Sequence, residues 1–246
     1  MNIDIITVNK NSGYQFKKTK ENILSILETE SRVSWLIIDS KSSDISSIIL
    51  SSISPSNNIR IVKAVDSGIY NAMNKAIEIT KSDYALFINS GDTINIDAFR
   101  LALLKLKIIR TSLICGYRLE NNNLLNNLIN YLQNLLGLSM PSSHNSIIYE
   151  VKALKRHKFK ERYLCAADYE QYLALKKSNH RFVYSKRFKI TNINANGFIA
   201  KNKIKSYIEY IDINYLYQYH IVSQYWQYRL FILKLLKRFN SKIIAQ

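Results

Sequence analysis

Four short apolar runs constrain this chain more than any other feature. They are "IITV" after Asp4, "VSWLIID" at 33–39, "IRIVKAV" at 59–65 and "YALFI" at 84–88. Each is rich in β-branched or aromatic residues, is too short for a helix, and stops abruptly at polar residues. Such runs read as strands buried on both faces. Between them the spacing changes to that of a helix. Ile23, Leu24, Ile26 and Leu27 fall on one face within 16–30, and "SDISSIILSSI" opens with Asp44 at a helix start. Ile69, Met73, Ala76 and Ile77 share a third face. Strands alternating with helices predict an α/β fold with a mainly parallel sheet and helices on both faces.

The second half is less regular. "IDAFRLALLKLK" reads as a helix and "SLICGYRLE" as a strand. "NNNLLNNLINYLQNLLG" places Leu124, Leu128, Leu132, Leu135 and Leu136 on a helical stripe that stops at Gly137. "SHNSIIYE" reads as a returning strand. "ADYEQYLALKK" starts a helix that Asp168 is placed to cap, with Gln171 completing a capping box.

A formal net charge of +17 calls for anionic partners: nucleic acid, an anionic membrane surface or phosphorylated substrates. The excess lies in the second half, in "KALKRHKFKER", "SKRFK", "KNKIK" and "YRLFILKLLKRF". Cys115 and Cys165 lack metal-ligand spacing and fit a reducing compartment as small hydrophobes. The N-terminus has no basic region followed by an apolar run, and no segment is apolar enough to span a bilayer, so the expected location is cytoplasmic.

Neither a GxGxxG turn nor a Walker A loop follows a strand, and His144, His157, His180 and His220 are scattered. What remains is Asp39, Asp66 and Asp92, each just beyond a predicted strand. In a parallel sheet they emerge at one edge, where ligands of open α/β sheets bind. Taken alone, the motif around Asp92 reads first as a β-turn joining a strand to the next element. Together the three make a rim suited to a divalent metal, which takes carboxylate oxygens and shares its shell with phosphates.

"DSGIYNAMNKAIEITKSDYALFINSGD" (66–92) resembles the family 2 glycosyltransferases, in the branch that builds bacterial surface polysaccharides. "IITVNKN", "WLIIDSKSSD", "PSSHNSIIYE" and "YLCAADYEQYLAL" resemble flanking segments of that family, so the likeness covers roughly residues 1–200. It implies a GT-A fold in residues 1–204, with a nucleotide-sugar-binding half (1–98) and an acceptor half (99–204). It also implies inverting transfer from a nucleotide-sugar, UDP being the commonest donor nucleotide among relatives, with Mn²⁺ or Mg²⁺ as cofactor. Carried over by position, Val8, Asn9, Asp39, Asp66, Gly68, Asn89, Ser90 and Gly91 line the donor pocket. Asp92 stands at the metal motif, Asp168 at the general base, and His144 near the diphosphate or acceptor. As a helix-starting Asp, Asp168 also fits a cap, and the two roles are compatible. Tyr70 and Met73 read as core. Several positions depart from the family pattern: Ser40, Ala76 and Ser82 stand for Gly, Asn71 for Asp, and Ala64 for a carboxylate.

Residues 205–246 form a basic, aromatic helical tail beyond the likeness. Phe231, Ile232, Leu235, Leu236, Phe239 and Ile243 gather on one side of a helical wheel, and Arg229, Lys234, Lys237 and Arg238 on the other. That pattern fits a helix lying on an anionic membrane, and equally one packed on the domain with its charges solvated. The resemblance implies a polyprenyl-diphosphate-linked saccharide acceptor, which a membrane-bound tail at a peripheral position on the inner face of the cell membrane would suit. The competing classes are a catalytically inactive scaffold of the same family and a basic nucleic-acid-binding module. The second lacks any recognised motif, and nucleic acid is not expected as a partner.

Overall fold

The computed structural model describes residues 1–119, 140–194 and 202–244. The leucine-striped helix expected to end at Gly137 and the segment "NANGFIA" lie largely or wholly outside the described residues, as do the tail side chains beyond Lys234.

The chain opens as an alternation: β1 (Ile3–Asn9), α1 (Gln15–Leu27), β2 (Val33–Asp39), α2 (Ile45–Ser51), β3 (Ile59–Lys63), α3 (Ile69–Ile79) and β4 (Tyr84–Phe87). It continues through β5 (Thr93–Ile94), α4 (Ile96–Ile109), β6 (Ser112–Leu119) and a 3₁₀ turn at His144–Ser146. Then follow β7 (Ile147–Glu150), α5 (Val151–Arg156), α6 (Ala167–Lys177), β8 (Phe182–Ile193), α7 (Lys203–Leu216) and α8 (His220–Ile244). The strands form one sheet in the order β3-β2-β1-β4-β7-β6-β8-β5. β3, β2, β1 and β4 are parallel, with Asn9 opposite Asp39 and Asp39 opposite Lys63. β7 runs antiparallel to both β4 and β6, so the sheet becomes mixed beyond β4.

Side chains alternate across the strands into two cores. Ile6, Leu36, Ile38 and Phe87 meet α3, α5, α6 and α7 on one face. Ile5, Trp35, Ile37 and Leu86 meet α1, α2 and α4 on the other. Strands covered on both faces lose their polar alternation, which is why the first four were so plain in the sequence. β8 was not: "FVYSKRFKITNI" reads as a basic segment. It pairs with β6 along its length but with only the two-residue β5 on its other side. Lys and Arg are expected on such a largely open edge. Both cysteines are buried and free, and burial pushes the Cys115 thiol up to about 12.

The two aspartates expected at helix starts take different roles. Asp44 is the N-cap of α2 and accepts from the Ser46 N–H at 3.0 Å. Asp168 is not a cap: Ala166 occupies that position without a side-chain bond, and Gln171 donates to the His157 carbonyl. Instead Glu209 of α7 accepts from the N–H groups of Leu164, Cys165 and Ala166 at 2.8–3.0 Å. A side chain from another helix thus serves the donors ahead of α6.

The tail also departs from a free surface helix. Ile213 of α7 lies in the main core, so the boundary expected after residue 204 falls inside a helix packed on the domain. Trp226 of α8 is buried and stacked on Tyr210 with ring centroids 4.6 Å apart. Arg229 bonds the Tyr207 and Tyr225 hydroxyls. Ile221, Tyr228 and Phe231 remain exposed. Among the described residues, no helix is long and apolar enough to cross a membrane.

Candidate active site

The C-terminal ends of β1, β2 and β4 converge on Asn9. This side chain, 2% exposed, donates to Asp39 Oδ1 at 2.8 Å and to Ser42 Oγ at 3.0 Å. Its Oδ1 accepts from Ser12 and, at 3.2 Å, from Ser90 of the turn after β4. Asp39 is held further by the Ser42 N–H at 3.0 Å and the Ser42 hydroxyl at 2.6 Å. Ser40 donates to Asp66 and ties the ends of β2 and β3 together. Val8 is half-buried against the core. Gly68 caps α3 with φ +151°, a region open in practice only to glycine.

The turn Asn89–Asp92 is anchored by a residue the sequence did not flag. Thr19 of α1 accepts from the Gly91 N–H and donates to the Asp92 carbonyl, both at 2.9 Å. Gly91 sits at φ +99°, and a Cβ there would lie 3.4 Å from both Gln15 and Asn194. Asp92 is 4% exposed: Oδ2 accepts from the Asn145 amide and Oδ1 from the Asn194 N–H at 2.8 Å.

Asp168 belongs to the same network. Its Oδ2 lies 3.2 Å from His144 Nδ1, and its Oδ1 accepts from the Tyr169 N–H at 2.9 Å and the Tyr70 hydroxyl at 3.4 Å. Tyr70 is therefore both core and site. Burial, then the charge of Asp168, holds its phenol well above the ordinary value, so it stays a donor. The two carboxylates are joined by consecutive residues of one 3₁₀ turn, His144 on Asp168 and Asn145 on Asp92. Asn145 was missed in the sequence because an Asn beside a His carries no spacing signal. Asn71, noted above as a departure from the resemblance, donates to Glu161 at 2.9 Å. An Asp there would set two carboxylates in contact.

Within this site two buried atoms, Asn89 Oδ1 and His144 Nε2, have no hydrogen-bond partner among the described residues. A buried acceptor of that kind calls for a ligand donor or a cation. Among the described residues no three His, Cys, Asp or Glu side chains form a metal-binding group. A divalent ion that draws most of its shell from substrate phosphates needs only one or two carboxylates. Asp92 and the orphaned Asn89 oxygen fit that arrangement.

The family model described as Glycosyl transferase family 2 matches residues 4–166. No curated protein matches the sequence. S. aureus TarS 1–349 in complex with UDP-GlcNAc superposes with a TM-score of 0.68 at 17% identity, covering 94% of this chain and 70% of that one. A second structure of S. aureus TarS 1–349 gives 0.61 at 18% identity, and there this chain, with 87% of its length matched, spans 65% of TarS 1–349. The mannosyltransferase PcManGT from Pyrobaculum calidifontis, in complex with GDP-Man and Mn²⁺, gives 0.66 at 15% identity, covering 86% and 62% of the two chains. At such identities the likeness shows a shared fold. Together with the family match over most of the parallel half and the strand-end site, it settles the assignment: the chain belongs to glycosyl transferase family 2 and is built on the GT-A fold.

Proposed function

We propose that this chain is an inverting glycosyltransferase that moves a sugar from a nucleotide-sugar, with UDP the first candidate, to a hydroxyl of a saccharide acceptor. The observation that carries this reading is the His144–Asn145 turn, which holds Asp168 and Asp92 in one buried network at the end of the parallel sheet. Residues 1–98 then form the donor half, with Asp39, Asp66 and Gly68 around the nucleotide. TarS with UDP-GlcNAc and PcManGT with GDP-Man support the donor class.

In the reaction the acceptor oxygen attacks the anomeric carbon while the bond from that carbon to the diphosphate oxygen breaks. The electron pair of that bond leaves with the nucleoside diphosphate, and the hydroxyl proton passes to Asp168 as general base. One displacement without a covalent intermediate inverts the configuration. His144, Tyr70 and the Tyr169 N–H fix the direction of the Asp168 carboxylate. The partnerless His144 Nε2 can accept from a sugar hydroxyl. Asp92, with Asn89, would hold Mn²⁺ or Mg²⁺, which when bound supplies charge neutralisation for the departing diphosphate.

The acceptor we favour is a polyprenyl-diphosphate-linked saccharide in bacterial surface-polysaccharide assembly. Exposed Ile221, Tyr228 and Phe231, with Lys234 on the same helix, support contact of α8 with an anionic membrane surface. The test is calorimetric titration of UDP, GDP and CMP with Mn²⁺ and with chelator, followed by turnover of Asp168→Asn. Metal-dependent binding of one nucleotide, retained in D168N while transfer falls at least about a hundredfold, is expected. If no nucleotide binds, the chain is an inactive relative acting as a scaffold.

A further inference from the structure

The helix that carries Asp168 presents a second, different face. Glu170, Ala174, Lys177 and Ser178 recur on it at helical spacing and form one wall of a cavity of about 660 Å³. Lys155 and Arg156 at the end of α5, with Lys158 and Lys160 just beyond, form the opposite wall. Five cationic side chains therefore meet one carboxylate. Lys158 is paired with Glu78, Lys155 donates to the Thr80 carbonyl at 3.1 Å and Lys177 lies over the Tyr217 ring at 5.7 Å, while Lys155, Arg156, Lys160 and Lys177 make no ion pair among the described residues. Glu170, 2% exposed, accepts from the Tyr217 hydroxyl at 2.9 Å through Oε1, and its Oε2 has no partner.

We infer that this cleft binds a phosphate ester that also carries a free hydroxyl, either as a small molecule or as a lipid head group. Cations that face one concavity, most of them without a carboxylate partner, repel one another until an anion enters, and the Arg fork with Lys ammonium groups matches phosphate oxygens. The orphaned Glu170 oxygen, in turn, needs a donor, which a bare phosphate dianion lacks and a hydroxyl provides. The volume is that of a small-molecule site, and its concave shape suits a head group better than the flat face of a bilayer. The cleft lies on the side of α6 away from Asp168 and its existence does not depend on the donor chemistry.

The test uses the full chain and the surface double variant Arg156→Gln/Lys160→Gln. Glycerol 3-phosphate, titrated with chelator present, should bind equally with and without saturating UDP. In the double variant binding should weaken about tenfold or more, since charge-assisted hydrogen bonds are lost. Co-sedimentation with phosphatidylglycerol vesicles, against phosphatidylcholine, separates the sources. Retention lost in the variant assigns the cleft to a lipid head group, whereas unchanged retention with weakened glycerol 3-phosphate binding assigns it to the free ester. The inference is overturned if the variant alters neither measurement, if UDP displaces glycerol 3-phosphate, or if single-stranded oligonucleotide binds the cleft and glycerol 3-phosphate does not. Failure of UDP itself to bind bears on the donor reading and leaves this one standing.

Discussion

Asn145→Ala removes the side chain through which the 3₁₀ turn holds Asp92. Asn145 is 1% exposed, donates to Asp92 Oδ2 and accepts from the Asn89 amide at 3.4 Å. The long bond to Asn89 adds little, so the loss is essentially one hydrogen bond to a buried charge, about 1.5–3 kcal/mol. Asp92 keeps the Asn194 N–H at 2.8 Å, and that remaining bond argues for local misplacement of the carboxylate over wholesale unfolding. The same energy spent on orientation corresponds to roughly a 10–150-fold change in affinity. Loss of a group that supports a metal ligand typically costs about 10–100-fold, which agrees. Two measurements read the effect: thermal denaturation, and calorimetric nucleotide binding with Mn²⁺ well below the transition. We expect a lower Tm and weaker metal-dependent binding, with binding in chelator unchanged. Wild-type Mn²⁺-dependent binding in a variant that has lost stability would refute the positioning argument, because Asn145 would then serve folding alone.

Gly91→Ala forces a side chain into φ +99° and should cost about 1–3 kcal/mol, visible as a lowered Tm; an unchanged Tm would show that the turn relaxes. Trp226→Ala empties the stack on Tyr210 and should cost about 3–5 kcal/mol of α7–α8 packing, read as faster proteolysis within α8. A cleavage rate equal to wild type would show that the two helices hold without it. The bond from Ser46, foremost, holds the Asp44 carboxyl below its ordinary value. Its stabilisation is therefore present above the unfolded-state value and lost as pH falls through the folded one. The stability gap between wild type and Asp44→Ala should accordingly shrink below the usual carboxylate range; a gap independent of pH in urea titrations would count against the cap.

Local physics made the parallel half legible. β1 to β4 are covered on both faces, so "IITV", "VSWLIID" and "YALFI" had to be apolar throughout, and helix periodicity filled the gaps. Strand ends in a parallel sheet share one edge, so Asp39, Asp66 and Asp92 could be grouped from their places in the sequence alone. Local sequence could not show which partner a polar group takes. Asp168 has the pattern of a cap, yet the donors preceding α6 are served by Glu209 from α7, and Asp168 is bound to His144. β8 hid its strand character because a nearly open edge favours Lys and Arg. Thr19 and Asn145 gave no signal, since a hydroxyl and an amide serve anywhere a donor or acceptor is needed. Hydrophobic periodicity is written residue by residue along the chain and could be read there. The hydrogen bonds of the site join residues as far apart as Thr19 and Gly91, or Asp92 and Asn145, and only the folded sheet brings them within reach.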